Sequence, residues 1–145
     1  VEGNLKTDKG VIDLPIGRSQ SDFRKKIASS VARGELREAV TEYEVLERFA
    51  TVQHAMSNIG SYTLVEVYPK TGRTHQIRVH FKAIGHPIVC DSLYGGKRMT
   101  CPFGLKRHFL HANFLEFDSP SGARLKLEAD LPDDLSEVLE GLRKK

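Results

Sequence analysis

Apolar and polar positions along this chain recur with two different periods. Gly10 to Ile16 reads as a short strand closed by Pro15 and Gly17. Residues 18–36 are polar and mixed. Phe23, Ile27 and Val31 recur there at helical spacing, which fits either a short helix or a basic loop. Val40, Tyr43, Val45 and Phe49, interleaved with polar residues, predict a strand; Tyr62, Leu64, Val65 and Val67 predict another, ending before Pro69. After the Thr71-Gly72 turn signal the period changes. Ile77, Phe81 and Ile84 fall at i, i+4 and i+7, with Thr74 as N-cap and Gly85 and Pro87 as stop, so residues 74–84 are expected to form an amphipathic helix. Its other face carries His75, Arg78 and Lys82. Strands are expected around 107–117 and 123–129, joined by the turn Ser119-Pro120-Ser121-Gly122. A last helix starts near Asp133, with Leu135, Val138, Leu139 and Leu142 on one face. The expected class is α+β, with a mostly antiparallel or mixed sheet and a few helices.

At 145 residues the chain is long enough for one hydrophobic core. No apolar run approaches the roughly 20 residues needed to span a bilayer, and the residues after Val1 are acidic and polar rather than signal-like. A cytosolic protein without membrane association is expected. Patterned sequence starts at once, without a leading methionine, which suggests that something lies upstream. Cys90 and Cys101 form no C-x-x-C pair, so reduced thiols are expected rather than a disulfide or zinc site. His75, His80, His86, His108 and His111 invite a metal reading, but His75 and His80 are five apart and do not share a helix face. No metal is expected.

Charge sharpens the picture. From Lys70 to His111 there are eight Lys and Arg against Asp91 alone, while Ala112 to Glu140 holds two basic residues against eight acidic ones. A one-sided basic segment suits a polyanion such as RNA; the competing reading is a solvated basic loop.

One stretch carries chemistry. Thr71 to His80 reads T-G-R-T-H-Q-I-R-V-H, followed by I-G-H-P-I-V (Ile84 to Val89), D-S-L-Y-G-G (Asp91 to Gly96) and L-H-A (Leu110 to Ala112). In this order and spacing the set resembles the third motif and downstream markers of the RluA/RluD-type RNA pseudouridine synthases. The resemblance covers essentially the whole chain. It implies that residues 1–145 are the C-terminal part of a single catalytic domain, incomplete on its own. Val1-Glu2-Gly3 would end the segment bearing the family's active-site tyrosine. The implied reaction detaches uridine at its glycosidic bond and rejoins it through C5, with an aspartate as covalent nucleophile and no metal or organic cofactor. The implied substrate is ribosomal or transfer RNA. The family's aspartate motif reads approximately H-R-L-D, a string this sequence does not contain.

The resemblance makes Arg78 the ion-pair partner of that absent aspartate. The chemistry asks for such a group, because burial would push a nucleophilic carboxylate toward its neutral form, and a guanidinium both holds the charge and orients it through a fork. Arg73, Lys97, Arg98, Lys106 and Arg107 are candidate RNA-backbone contacts, with 97–108 as the RNA-facing loop. His75 and Gln76 are candidates to bond the aspartate loop or RNA, more as structural groups than as catalysts. Leu110 is a candidate apolar wall of the base pocket, and Gly72 suits the tight turn before the helix. Asp13 and Asp91 are rivals for the nucleophile; Asp91 instead suits a loop-structuring role within D-S-L-Y-G-G, which differs from the commoner D-P-L-Y-G by a serine. The isolated chain is expected to lack activity and to expose an apolar sheet edge prone to association. The alternatives are a non-catalytic RNA-binding fragment or degenerate homologue, and a structural domain whose basic face is incidental.

Overall fold

The computed structural model describes residues 1–29, 35–50, 52–54, 57–96, 99 and 101–144. Strands β1 (Lys9–Asp13), β2 (Ile16–Arg18), β3 (Lys26–Ala28), β4 (Val40–Phe49), β5 (Val52–His54), β6 (Ser57–Ile59) and β7 (Tyr62–Pro69) precede helix α1 (Gln76–Ala83). A single turn at Pro102–Gly104, the hairpin β8 (Phe114–Asp118) and β9 (Arg124–Glu128), and helix α2 (Asp133–Arg143) complete the described chain. The fold is α+β, as expected, and every described strand pairing is antiparallel.

The organising unit is a three-stranded sheet in the order β1-β4-β7. The pattern of β4 sends Thr41, Tyr43 and Phe49 inward. Between Val45 and Glu47 the register slips, leaving Leu46 without a partner and 57 % exposed. Tyr43 meets Phe81 of α1 with ring centroids 5.5 Å apart. Around them Leu5, Ile12 and Ile88 close the core between sheet and helix.

Two core regions flank this one. Leu135, Val138, Leu139 and Leu142 of α2 pack with Phe49, Tyr62, Val89 and Leu105, and burying each such side chain is worth about 1.5–3 kcal/mol. Asp133 and Asp134 suit the N-terminal end of α2 and Arg143 its C-terminal end. Ile16, Ala28 and Ala39 pack with Val79 and Tyr94 on the opposite side of α1. Helix α1 is therefore clasped from two sides: Phe81 of the expected Ile77-Phe81-Ile84 stripe is fully buried, with Ile77 and Ile84 partly buried against the same core, while Gln76, Val79 and His80 are buried in addition. Its end is as expected: Gly85 has φ +83°, and the N–H groups of Gly85 and His86 donate to the Lys82 and Phe81 carbonyls.

Other expectations need correction. Cys90 and Cys101 are joined in a disulfide. The chain turns back directly after Cys90, where the Gly95 N–H donates to the Asp91 carbonyl, and the two Cα atoms lie 4.9 Å apart, well within bridging range; a separation of 11 residues gave no sign of this. Residues 107–113 are not a strand, because that segment is tied instead to Val89 and Asp134. The segment 18–36 contains β3 rather than a helix, Phe23 is 92 % exposed, and Val31 lies outside the described residues.

The β8–β9 ribbon is amphipathic without a cover. Leu115 pairs with Leu127 and Phe117 with Leu125 on one face, each side chain 39–54 % exposed. The other face carries Arg124 between Glu116 and Asp118. Among the described residues no helix is long and apolar enough to cross a membrane.

Candidate active site

The site is built on the turn between β7 and α1. Thr74 is not the N-cap. That position falls to His75, which adopts the left-handed conformation (φ +58°) and caps nothing with its side chain. Gln76 stabilises the turn instead. Its Oε1 accepts from the Thr71 hydroxyl (2.7 Å) and the Arg73 N–H (3.0 Å), while its Nε2 donates to the Val40 carbonyl (2.9 Å) and Thr41 Oγ1 (3.0 Å). The amide is buried and these four bonds use its hydrogen-bonding directions. Gly72 proves less constrained than the tight turn suggested: its φ is not positive, and a Cβ there would meet nothing within 4 Å.

The network continues inward. His80 is fully buried, with Nε2 2.9 Å from the Leu14 carbonyl and Nδ1 2.9 Å from Thr41 Oγ1. A carbonyl only accepts, so Nε2 carries the proton. Thr41 Oγ1, already accepting from Gln76, then donates to Nδ1. Burial holds this imidazole below its usual pKa, consistent with the neutral form.

Arg78 projects from the first turns of α1. Its Nε and Nη2 donate to the two oxygens of Asp91 at 2.7 Å each, a bidentate ion pair. Asp91 is fully buried, and its Oδ1 also accepts the N–H groups of Leu93 and Tyr94 at 3.0 Å. Burial favours the neutral acid, but the Arg78 and backbone hydrogen bonds outweigh it and hold the carboxyl below its usual value. The hydrogen bonds to Asp91 in turn raise Arg78. The Arg78 guanidinium lies 5.1 Å from the centre of the Tyr94 ring. The Tyr94 hydroxyl accepts the Lys26 N–H (2.8 Å) and bonds His75 Nδ1 (3.0 Å). Burial and the nearby Arg78 charge lower the pKa of His75, and the same two causes act on His108.

The D-S-L-Y-G marker is thus a compact turn around the Asp91 carboxylate. Its glycine is required by close approach: the Gly95 N–H donates to the Asp91 carbonyl at 2.6 Å, and a Cβ on Gly95 would sit 2.5 Å from that oxygen.

Arg73, His75, Gln76, Arg78 and Leu110 line one cavity of about 210 Å³, together with Pro69, Thr71, Gly72 and Ile77. Five of the nine candidate residues therefore converge. Arg73 is exposed, its Nε donating to the Glu38 carbonyl (3.0 Å). Lys106 is exposed, and Arg107 forms a bidentate pair with Asp134 of α2 (2.6 and 2.8 Å) while its Nη1 lies 3.5 Å from the Leu110 carbonyl. Lys97 and Arg98 lie outside the described residues. Tyr94 was not singled out by sequence reasoning, and neither was Asp91 as the partner of Arg78. The histidines are dispersed onto separate carbonyls: His80 on Leu14, His86 on Glu2 and His111 on Ala129. Among the described residues no group of three or more His, Cys, Asp or Glu gathers as a metal would need.

A family model described as RNA pseudouridylate synthase matches residues 4–83, more than half of the chain. The chain belongs to the RNA pseudouridylate synthase family. It is 43 % identical over 145 residues to the RNA pseudouridine synthase YlyB of Bacillus subtilis, covering 99 % of this chain and 42 % of that protein. It is 41 % identical over 148 residues to ribosomal large subunit pseudouridine synthase D of Pseudomonas aeruginosa, covering 94 % and 42 %. Among solved structures it resembles human RNA pseudouridylate synthase domain containing 1, with a TM-score of 0.71 and 25 % identity, covering 99 % of this chain and 63 % of that one. The chain spans about two-fifths of the length of these bacterial relatives.

Proposed function

We propose that the complete protein isomerises uridine to pseudouridine in ribosomal or transfer RNA, and that this chain forms the C-terminal part of its catalytic domain. The observation that carries the reading is Arg78 at the wall of the cavity formed by the family's motif residues. Asp91 occupies only two of its five N–H groups. Among the described residues nothing else takes the remaining edge, which can hold the carboxylate of a nucleophilic aspartate outside this chain. Leu110 and Ile77 supply apolar wall for a uracil flipped out of its stack. Lys97, Arg98, Lys106 and Arg107 along the 97–108 segment, and Arg73 at the turn before α1, supply phosphate contacts. His75 and Gln76 shape the pocket from behind. No metal or organic cofactor enters the reaction. The apolar face of the β8–β9 ribbon is the surface through which the chain associates with further polypeptide. Nothing in this reading needs a membrane, and the protein acts in the cytosol.

The test uses RNA carrying tritium at uridine C5, which is released when C5 takes the glycosidic bond. The complete protein should release it, and residues 1–145 alone should not. Release by residues 1–145 above background would contradict the assignment of the nucleophile to another segment. No release by the complete protein from any ribosomal or transfer RNA would favour the non-catalytic RNA-binding alternative.

A further inference from the structure

We propose that Asp91, together with Tyr94, is a positioning residue for Arg78, holding the guanidinium so that one edge stays open to a second carboxylate. The inference rests on the proposed role of Arg78 and assigns Asp91 a part in the same site.

An arginine can take two carboxylates at once only if the first leaves a usable edge. Asp91 binds through Nε and Nη2 at 2.7 Å each. The two hydrogens of Nη1 and the second of Nη2 remain, and one from each nitrogen forms the end of the fork, which donates to a carboxylate or a carbonyl pair. Among the described residues no other side chain or carbonyl takes them. The side-on mode of Asp91 is therefore the one that keeps the outer edge clear.

Asp91 is suited to hold rather than to react. It is fully buried, and its Oδ1 is fixed by the Leu93 and Tyr94 N–H groups. The Asp91 carbonyl, accepting from Gly95, locks the turn from the other end. It sits within the basic block of residues 70–111 as the sole acidic residue. A lone carboxylate there, placed on Arg78 rather than on the exposed Lys106 or Arg73, fixes one arginine among many.

Tyr94 fixes the remaining degree of freedom. Its ring lies 5.1 Å from the guanidinium, and its hydroxyl ties together the β3 backbone at Lys26 and the side chain of His75. The guanidinium is thus held at one edge and over one face. A displacement of about 1 Å in such a group can cost on the order of a hundredfold in rate.

The experiment measures single-turnover tritium release and RNA dissociation constants in the complete protein for Asp91→Asn, Asp91→Glu, Arg78→Ala and the Asp91→Asn/Arg78→Ala double variant. Asp91→Asn turns one acceptor into a donor facing Arg78 and should slow turnover roughly a hundredfold, with RNA affinity changed less than threefold. The double variant should be no slower than Arg78→Ala alone, because Asp91 acts through Arg78. If Asp91→Asn does not fold, Asp91→Glu carries the test: a rate loss above fivefold at unchanged affinity supports the proposal, and a smaller loss overturns it. Turnover of folded Asp91→Asn within fivefold of the parent, or losses that multiply fully in the double variant, would also overturn it while leaving Arg78 in the site. Near-normal turnover in Arg78→Ala would instead remove Arg78 from the site, and the role of Asp91 with it.

Discussion

Replacing Gln76 with leucine keeps the volume of the side chain and removes its four hydrogen bonds. Two of the groups that lose a bond, the Thr71 hydroxyl and the Arg73 N–H, lie at a turn that water can reach, and the Thr71 oxygen keeps the Val40 N–H. The other two, the Val40 carbonyl and the fully buried Thr41 hydroxyl, lie beneath the helix and each keeps one partner, the Lys70 N–H and His80 Nδ1 respectively. A neutral hydrogen bond contributes about 0.5–1.5 kcal/mol net, and a buried partner left unsatisfied costs about 1–3 kcal/mol. Because both inner groups keep a partner, only the net bond contributions are lost, and weighting the two inner bonds fully and the outer two lightly gives a loss of about 1–3 kcal/mol. For a domain of this size each kcal/mol moves the melting temperature by roughly 3 °C, so Gln76→Leu should lower it by roughly 3–9 °C. Calorimetry or melting followed by circular dichroism reads this directly. RNA titrations at two salt concentrations complete the assay. Gln76 touches no phosphate in this account, so the salt dependence of binding should be unchanged in a variant that remains folded. A stability loss below about 0.5 kcal/mol, or weakened RNA binding at an unchanged melting temperature, would refute the reasoning and make Gln76 an RNA contact.

Gly95→Ala should destabilise the Asp91 turn, because the added Cβ would meet the Asp91 carbonyl at 2.5 Å; equilibrium unfolding should show a loss of about 1–3 kcal/mol, and no measurable loss would contradict the geometry. Stability should fall on mild acidification. His75, His80 and His108 all have pKa values below the ordinary 6.5, so the unfolded chain binds protons first; the contribution of the neutral imidazoles is complete above about pH 6.5 and erodes as pH falls through their lower folded-state values. Denaturant midpoints between pH 8 and 5 test this, and a flat profile, or one rising toward acid, would refute it. Arg73→Ala in the complete protein should mainly weaken RNA binding and reduce the slope of log affinity against log salt by about one, with bound-state turnover largely kept.

Long elements with a clean period were legible in the sequence. The β4 and β7 strands and the four-residue apolar face of α2 are found almost where the alternation and the helical spacing put them. The convergence of Arg73, His75, Gln76, Arg78 and Leu110 was legible through the motif set alone, since no periodicity brings residue 110 to residue 73. What escaped was set by tertiary contact. Helix α1 is buried on two sides, so its polar Gln76 and His80 are interior groups that the apolar stripe hid. The N-cap moved from Thr74 to His75 because Gln76 reaches back to the turn, a four-bond arrangement without a local signature. The disulfide depends on how the chain turns back after Cys90, and the irregular 107–113 segment on its ties to Val89 and α2. The Arg78–Asp91 pair did have a signal: Asp91 is the only acidic residue between Lys70 and His111, and a lone buried carboxylate in basic surroundings calls for a cationic partner.

The central claim is that Arg78 serves a pseudouridine synthase site, and single-turnover tritium release from C5-labelled uridine RNA tests it most directly when the complete protein is compared with its Arg78→Ala variant. The account predicts release by the parent and a loss of about a thousandfold in the variant, with both proteins folded and both able to bind RNA. Turnover by the variant within a few fold of the parent would contradict it.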